Sequence, residues 1–188
     1  LYADNDADLM RAQGYVHAQE RFFEMDFRRH VTAGRLSEIF GPDTLETDKF
    51  IRTMDWRGVA EQEWALLQPA TRDALTAYAE GVNAYLDERS GSELATEYAV
   101  LGLTGLDYTP EEWEPVDSLA WLKAMAWDLR GNMDAEVDRV QLSVDHTPEE
   151  IASLWPEYPY DQHPPIVSGG GVVDGVFEQN ATSNGTRN

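Results

Sequence analysis

The sequence predicts a mainly α-helical chain, and three observations support this fold class. Its 188 residues are 42% hydrophobic, which is enough to bury a sizeable core in one domain or in two small ones. Apolar residues recur at three- and four-residue steps over long segments, which is the period of an amphipathic helix. Two copies of Thr-Pro-Glu-Glu, beginning at Thr109 and Thr147, have the composition of helix starts.

The first predicted helix covers residues 8–31. Either of two aspartates, Asp6 or Asp8, is placed to cap its beginning. Gly34 follows a basic turn, as is typical of a helix C-terminus, where cations meet the negative end of the dipole. A short stretch, 35–40, then ends at a Gly-Pro pair.

The second and third helical patterns cover residues 58–68 and 70–88, with Pro69 between them. Gly81 lies inside the apolar stripe of the third pattern. Because glycine costs about 1 kcal/mol relative to alanine inside a helix, its presence predicts the close approach of another element. Residues 89–108 follow as a turn-rich segment with one short apolar piece.

The remaining predicted helices are set by capping residues. In each Thr-Pro-Glu-Glu motif the Thr is an N-cap, the Pro is the first helical residue and the second Glu is the third, so helices are expected after Thr109 and after Thr147. Asp117 can cap a further helix over 118–129, and another helix is expected over 134–144.

The chain divides by composition into a helical part, residues 1–167, and a flexible C-terminal spacer, residues 168–188. Prolines punctuate the sequence after Trp155, three glycines follow, and the last residues are polar without a hydrophobic period. Asn180 and Asn184 open Asn-x-Thr triplets, which fit glycosylation in an exported tail but also arise by chance in polar sequence.

The charge balance excludes several kinds of partner. The chain has 35 Asp and Glu against 14 Lys and Arg, a net charge of −21, so phosphate-rich partners such as nucleic acids and anionic membrane surfaces are repelled. No run of 18 apolar residues occurs, so no membrane span is expected. The absence of cysteine excludes disulfides and thiolate metal sites.

The common catalytic templates are missing from the sequence. There is no Gly-x-Ser-x-Gly, no phosphate-binding Gly-rich loop followed by Lys and no His-Glu-x-x-His, and the four histidines have no metal-ligand spacing. Two acidic runs, 4–8 and 134–138, have the alternating oxygen ligands of a calcium loop but lack its later Gly and Glu. Each run also fits a solvated helix start, and Glu136 could supply one carboxylate to a site completed by other segments.

Several blocks resemble the α-subunit of the penicillin acylase family. The longest is Ala-Gln-Gly-Tyr-Val-His-Ala-Gln-Glu-Arg-Phe-Phe-Glu-Met-Asp from residue 12, continuing to Gly-Arg-Leu-Ser-Glu at 34–38. Ala-Glu-Gly-Val-Asn-Ala-Tyr-Leu at 79–86, Met-Ala-Trp-Asp-Leu-Arg-Gly-Asn at 125–132 and a Pro-rich stretch at 158–167 follow in the same order. The resemblance covers most of residues 1–167.

The resemblance implies an N-terminal-nucleophile hydrolase. Members of this family are made as one precursor that cleaves itself into an α-chain and a larger β-chain, and together they form a four-layer αββα sandwich around which the α-chain wraps its helices. The nucleophile is the serine that begins the β-chain, and its own α-amino group acts as the base. The resemblance therefore implies that this chain holds no catalytic residue, in agreement with the missing templates.

The resemblance also implies substrate-binding residues on this chain. The pocket methionine of the family falls on Met125, and the pocket aromatic residue four positions on falls on Leu129, which implies a pocket of different shape that suits aliphatic chains. A basic residue that holds the β-lactam carboxylate falls on Asp128, which disfavours penicillin itself. Without the resemblance, Met125 would be interpreted as a core residue of an amphipathic helix.

A structural Ca²⁺, shared with the β-chain, is the one cofactor that the resemblance implies. The α-chain glutamate that joins the β-chain oxygens around this ion falls on Glu136, if one residue is inserted after Met125. Asp134 or Asp138 could take its place.

The function predicted from these observations is that of the α-subunit of a self-processed amidohydrolase, active only with its β-chain. Its substrates would be amides such as penicillins, N-acyl-homoserine lactones or acylated lipopeptides. We expect export to the periplasm or the medium, with any signal peptide outside this chain. The alternative is a non-catalytic helical interaction module with an acidic surface.

Overall fold

The computed structural model describes residues 1–106, 108–163, 171–173 and 176–178 and shows a mainly helical protein, as predicted. The α-helices are α1 (Asp6–Ala33), α2 (Ser37–Phe40), α3 (Leu45–Met54), α4 (Trp56–Leu66), α5 (Pro69–Asp87), α6 (Thr96–Leu103), α7 (Pro115–Asp128), α8 (Met133–Leu142) and α9 (Pro148–Leu154). Short 3₁₀ turns lie at Gly41–Thr44 and Gly91–Glu93, and two strands, β1 (Gly171–Val173) and β2 (Val176–Glu178), pair antiparallel. Within the described ranges, no helix combines the length and apolarity that crossing a bilayer requires.

The chain forms two compact units, Leu1–Arg130 and Gly131–Asn188. The first contains α1 to α7, and the second contains α8, α9 and the two strands. Inside the second unit the guanidinium carbon of Arg139 lies 4.9 Å from the ring centroid of Trp155. Most of the predicted spacer, 168–188, lies outside the described residues, as do both of its sequon asparagines, so its flexibility stays a prediction.

Helix α1 begins before its predicted start and is capped by a different residue. The side-chain oxygen of Asn5 accepts a hydrogen bond from the Asp8 N–H at 2.9 Å, while Asp6 and Asp8, the predicted caps, both lie inside the first turn. The helix ends at Gly34, as predicted, in the left-handed conformation (φ 63°) that glycine adopts without strain. Arg21 interrupts the helix with φ −155° and ψ 36°.

The crossing of α1 and α5 depends on two glycines. A Cβ atom placed on Gly14 would lie 2.1 Å from the carbonyl oxygen of Tyr78, and one on Gly81 would lie 1.9 Å from that of Arg11. The close approach predicted at Gly81 is therefore confirmed. Around this crossing the buried core consists of Ala18, Phe22, Ala79, Val82, Tyr85, Leu94, Tyr98 and Trp113.

Helix α3 has no counterpart in the sequence analysis, which assigns no element to residues 42–57. Its Asp48 is buried, and the two carboxylate oxygens accept hydrogen bonds from the backbone N–H groups of Leu36 and Ser37 at 2.8 Å each. Asp55 follows in a left-handed conformation (φ 54°) and turns the chain directly into α4.

The helix predicted to start after Thr109 is wrong, because the chain stays irregular until Pro115. Tertiary hydrogen bonds replace the helical ones in this segment. Arg29 donates to the carbonyl oxygens of Glu111 and Glu112, at 3.1 and 2.7 Å. The Asn83 side chain accepts a hydrogen bond from the Trp113 N–H and donates one to the Trp113 carbonyl oxygen. These partners satisfy the backbone and hold Trp113 in the core.

The second Thr-Pro-Glu-Glu motif forms the predicted helix start. The Glu150 N–H donates to the Thr147 hydroxyl at 3.3 Å, and the Thr147 N–H donates to the Glu150 carboxylate at 2.9 Å. This reciprocal pair is a capping box at the start of α9. The short apolar piece predicted within 89–108 lies in α6.

Candidate functional site

Helix α7 carries apolar residues on two opposite faces. One face packs against α1, α4 and α5, and its inward residues are Asp117, Ala120, Ala124 and, less completely, Trp127. At 100° per residue, a second set lies on the opposite side of the helix. This set comprises Leu122 (60% exposed), Met125 (39%), Ala126 and Leu129 (79%), and we call it the α7 stripe. Four apolar side chains exposed on one face of a helix make this face a candidate binding surface.

Three of the four predicted site residues lie together on the last turn of α7. Met125 and Leu129 both belong to the α7 stripe, and the Leu129 N–H donates to the Met125 carbonyl oxygen at 3.1 Å. Asp128 is exposed on the same turn, to one side of the stripe. Glu136 lies on α8, in the second unit. Met125 is not a core residue of this chain, because more than a third of it is exposed.

The sequence did not indicate two further residues of this turn, one on the stripe and one behind it. Leu122 lies on the α7 stripe one turn before Met125, and its three-residue spacing was the available signal. Trp127 anchors the turn from the other side: its ring centroid lies 5.3 Å from that of Phe50 and 5.9 Å from that of Trp56. Phe50 belongs to the helix that the sequence analysis did not assign, so this contact had no sequence signal.

Buried charges fix the beginning of α7. Asp117 is 2% exposed and accepts hydrogen bonds from Arg57 and from the N–H of Glu114, and it faces Arg29 at 3.9 Å. Burial raises the pKa of the Asp117 carboxyl, while these donors and cations act in the opposite direction. Arg29 in turn pairs with Asp26, so α1, α4 and α7 share one network.

Asp26 is a buried carboxylate that accepts hydrogen bonds from three different residues. It is 1% exposed and accepts the hydroxyls of Tyr98 and Tyr108 at 2.9 and 2.7 Å in addition to Arg29. Burial, together with the charge of Asp26, raises the pKa of both tyrosines. His30 is equally buried and its Nδ1 lies 2.8 Å from the Asp26 carbonyl oxygen. Hydrogen bonds inside this buried set stabilise the fold, although the buried Nε of Arg29 has no hydrogen-bond partner.

A cavity of about 430 Å³ lies between α1, α5 and α7. On its wall His17 Nδ1 lies 3.0 Å from the Tyr78 hydroxyl, and burial raises the pKa of that tyrosine. The Arg28 guanidinium lies over Trp121, with 4.5 Å between its carbon and the ring centroid. His17 thus lines the cavity and has its hydrogen-bond partner, Tyr78, within the chain.

The oxygen ligands near Glu136 meet part of what a hard divalent cation such as Ca²⁺ requires. Its carboxylate is exposed, and one oxygen accepts a hydrogen bond from the Asn132 side chain at 2.6 Å, which leaves the other oxygen available to an ion. Within the described part of the chain, no group of three or more His, Cys, Asp or Glu is arranged to hold a metal. Glu136 therefore fits a calcium site to which other segments contribute most ligands.

The fold agrees with the comparison to a known family. A model of the penicillin amidase family matches residues 1–186, and the chain belongs to this family. Among solved structures, the chain superimposes on the thermostable penicillin G acylase from Alcaligenes faecalis with a TM-score of 0.60 and 25% identity, covering 99% of this chain and 89% of that one.

Curated relatives include two kinds of acylase. The chain is 35% identical over 157 residues to the acyl-homoserine lactone acylase QuiP of Pseudomonas aeruginosa, which covers 84% of this chain and 18% of the relative. It is 37% identical over 125 residues to the penicillin acylase 2 proenzyme of a Pseudomonas species. This match covers 66% of this chain and 15% of that relative. It is also 31% identical over 146 residues to the penicillin G acylase of Escherichia coli. This match covers 76% of this chain and 16% of that relative. The chain thus spans less than a fifth of the length of these relatives.

Proposed function

We propose that this chain is the α-subunit of an amidohydrolase that cleaves the side-chain amide of N-acyl compounds, and that the α7 stripe forms one wall of its acyl pocket. The observation that carries the proposal is the exposed apolar turn with Met125 and Leu129, in a chain that belongs to the penicillin amidase family. We call this chain together with the proposed β-chain the assembled enzyme.

In the assembled enzyme the reaction is an acyl transfer to the β-chain serine. The serine oxygen attacks the amide carbonyl, and its proton passes to the serine's own amino group and then to the nitrogen of the leaving amine as the C–N bond breaks. Water then hydrolyses the acyl ester, which releases the carboxylic acid and restores the serine hydroxyl. The α7 stripe binds the acyl chain beside the reacting carbonyl. Its contribution is to orient the acyl group and to exclude water from it, since apolar contacts of this kind supply positioning rather than chemistry.

The substrate class that fits best is a long-chain aliphatic amide with an uncharged leaving amine. Leu129 leaves more room than an aromatic ring would, and Asp128 repels a carboxylate on the leaving group. N-acyl-homoserine lactones meet both conditions, whereas penicillins carry a carboxylate on the nucleus. The relative named as an acyl-homoserine lactone acylase supports this choice.

The proposal includes maturation and assembly. The relative named as a proenzyme supports synthesis as a single precursor that cleaves itself, with residues 168–188 as the spacer next to the β-chain serine. The β-chain would complete the αββα sandwich, and export would place the enzyme in the periplasm or the medium. Glu136 would supply one oxygen to a structural Ca²⁺ that joins the two chains.

The alternative function, a non-catalytic interaction module, explains the acidic surface but not the family membership. The two functions differ in one direct observation, because the module would be complete without a serine-initiated β-chain. The open reading frame downstream distinguishes them: a frame that continues into Ser and an apolar strand supports the enzyme.

The proposal is tested by acyl preference. The assembled enzyme and its Met125→Ala and Leu129→Phe variants are assayed with phenylacetyl, hexanoyl and dodecanoyl amides. Leu129→Phe should shift kcat/KM towards phenylacetyl by about tenfold, and Met125→Ala should shift it towards dodecanoyl, since one methylene in a pocket changes selection by about 10- to 200-fold. Leu103→Phe, the same substitution at an exposed residue of α6, is the control. Unchanged preference in both stripe variants would refute the assignment.

A further inference from the structure

Trp127 is the least exposed side chain in the last turn of α7. Of residues 125–129, Trp127 alone is not exposed; the other four side chains face outward. The backbone of the turn is closed by two hydrogen bonds, Leu129 N–H to Met125 and Arg130 N–H to Trp127, at 3.1 and 3.2 Å between N and O. The turn continues the helix from the buried Ala124, and Trp127 is its largest inward-facing side chain.

Trp127 contacts two aromatic side chains, from α3 and α4, and the guanidinium of Arg130. Phe50 of α3 and Trp56 of α4 lie 5.3 and 5.9 Å from it between ring centroids, in tilted aromatic pairs. The guanidinium carbon of Arg130 lies 3.5 Å from its centroid, within the range of a cation–π interaction. Below it, Ile51, Trp56 and Ala124 form a separate buried cluster, each less than a tenth exposed.

This packing transmits changes at Trp127 to the α7 stripe. Interiors are packed as densely as organic crystals, so a smaller ring leaves a space that the neighbours fill only in part by moving. Met125 and Leu129 lie two residues on either side of Trp127 and move with the turn. A displacement of about 1 Å at a binding residue can change a rate by about 100-fold.

We infer that Trp127 is a positioning residue for acyl selection, which acts through Met125 and Leu129 and is itself held by Phe50 and Trp56. This inference rests on the function proposed above. It extends that function to α3 and α4, which contribute nothing to the α7 stripe directly. Variation in the α3–α4 pair is then a second route, besides substitution of the stripe, by which acyl preference changes.

The test compares Trp127→Phe with a matched control in the assembled enzyme. Trp113→Phe removes the same atoms from a more deeply buried tryptophan of the other core cluster, 6% exposed. Trp127→Phe should change the ratio of kcat/KM for hexanoyl and dodecanoyl amides by about threefold or more, while turnover of a small acetyl ester stays close to wild type. Trp113→Phe should lower the melting temperature and leave the ratio unchanged.

A double-mutant cycle separates positioning from general stability. If Trp127 acts through Leu129, the effects of Trp127→Phe and Leu129→Phe on the acyl ratio should not multiply in the double variant. Trp127→Ala should change the ratio more than Trp127→Phe does; if the alanine variant does not assemble, the phenylalanine variant and the cycle decide.

The outcomes are distinguishable from failure of the proposed function. A shifted ratio in Leu129→Phe with an unshifted ratio in Trp127→Phe overturns the positioning role and leaves the proposed function intact. Multiplicative effects in the cycle, or an equal shift in Trp113→Phe, also overturn it. If the ratio of kcat/KM for the acyl substrates is unchanged in every variant of Met125, Leu129 and Trp127, both proposals are overturned.

Discussion

At the scale of single residues, one guanidinium joins two distant parts of the chain. The two terminal nitrogens of Arg35 donate to the two carboxylate oxygens of Glu111 at 2.9 Å each, and Arg35 also donates to Glu38. The hydrogen bond from Arg35 lowers the pKa of Glu111 to about 2 and lowers that of Glu38. The irregular segment ahead of α7 is therefore held by a pair that requires an ionised carboxylate.

The stability contribution of Glu111 should depend on pH. A carboxylate with a lowered folded pKa stabilises the fold above its unfolded pKa, near 4.5, and loses this effect as the pH falls towards 2. Glu111→Gln should therefore lower the stability of the assembled enzyme at pH 7, by on the order of 0.5 kcal/mol because the pair is accessible to water. Melting curves between pH 7 and pH 3 should show the deficit shrinking below about pH 4.

The neighbouring residue provides the control for this prediction. Glu112→Gln removes an equal charge at the next position, on a carboxylate outside the Arg35 ion pairs. This variant should show no loss of stability at pH 7 that disappears as the pH falls. A Glu111→Gln deficit of constant size from pH 7 to pH 3 would show that the ion pair is not its cause.

Asp128 should govern tolerance of charge on the leaving amine. Asp128→Arg places a cation on the same turn as Met125 and Leu129, where it can pair with a carboxylate on the leaving group. We expect kcat/KM for a penicillin to rise by about three- to tenfold relative to an amide of the same acid with a neutral amine. Asp73→Arg, an equal change of charge on exposed α5 surface, should leave this ratio unchanged. A ratio that stays unchanged in Asp128→Arg would place residue 128 outside the leaving-group site.

At the scale of elements, the crossing of α1 and α5 is the most demanding contact of the fold. Gly81→Ala forces a Cβ against the backbone of Arg11, which no rotamer change relieves, and should destabilise the protein by about 2–3 kcal/mol. Gly102→Ala, in α6 with nothing within 4 Å of the added atom, should be neutral or stabilise by up to about 1 kcal/mol. Melting temperatures of the two variants test this directly. Equal melting temperatures would mean that the helices cross without close backbone contact.

The elements that could be predicted are those whose own residues specify them. Helices α1 and α5 have sustained three- and four-residue periodicity, and α9 has a capping box that works locally. The helix predicted after Thr109 has the same box but does not form, because Arg29 and Asn83, distant in sequence, bind its backbone instead. Helix α3 is short, and its anchoring contact through Asp48 reaches back to residues 36 and 37.

The candidate site could be predicted in part. The resemblance selected Met125, Asp128 and Leu129, which the structure places on one turn. Periodicity alone would assign Met125 to a core, because an apolar stripe at helical spacing looks the same whether it packs within the chain or against another. The role of Trp127 depends on Phe50 and Trp56, more than 70 residues earlier, and such a contact leaves no local signal.

At the scale of the whole molecule, the metal prediction concerns assembly. If Glu136 binds Ca²⁺ together with β-chain oxygens, chelation should lower the melting temperature of the assembled wild type. The Glu136→Gln variant should have a lowered melting temperature already, and chelation should not lower it further. Asp138→Asn tests in the same assay whether Asp138, instead of Glu136, is the ligand from this chain. A chelator effect that persists at full size in Glu136→Gln would assign the ion to other ligands.

The whole molecule also combines a strongly acidic composition with an apolar turn that its own fold leaves exposed. The net charge of −21 keeps such a chain hydrated, while its fold leaves the α7 stripe exposed. In our proposal the stripe contacts the acyl group of the substrate. The most direct measurement is a crystal structure of the assembled enzyme with a bound fatty-acid product. We predict acyl carbons within about 4.5 Å of the Met125 and Leu129 side chains; an acyl chain bound elsewhere, with both residues packed only against protein, would contradict the claim.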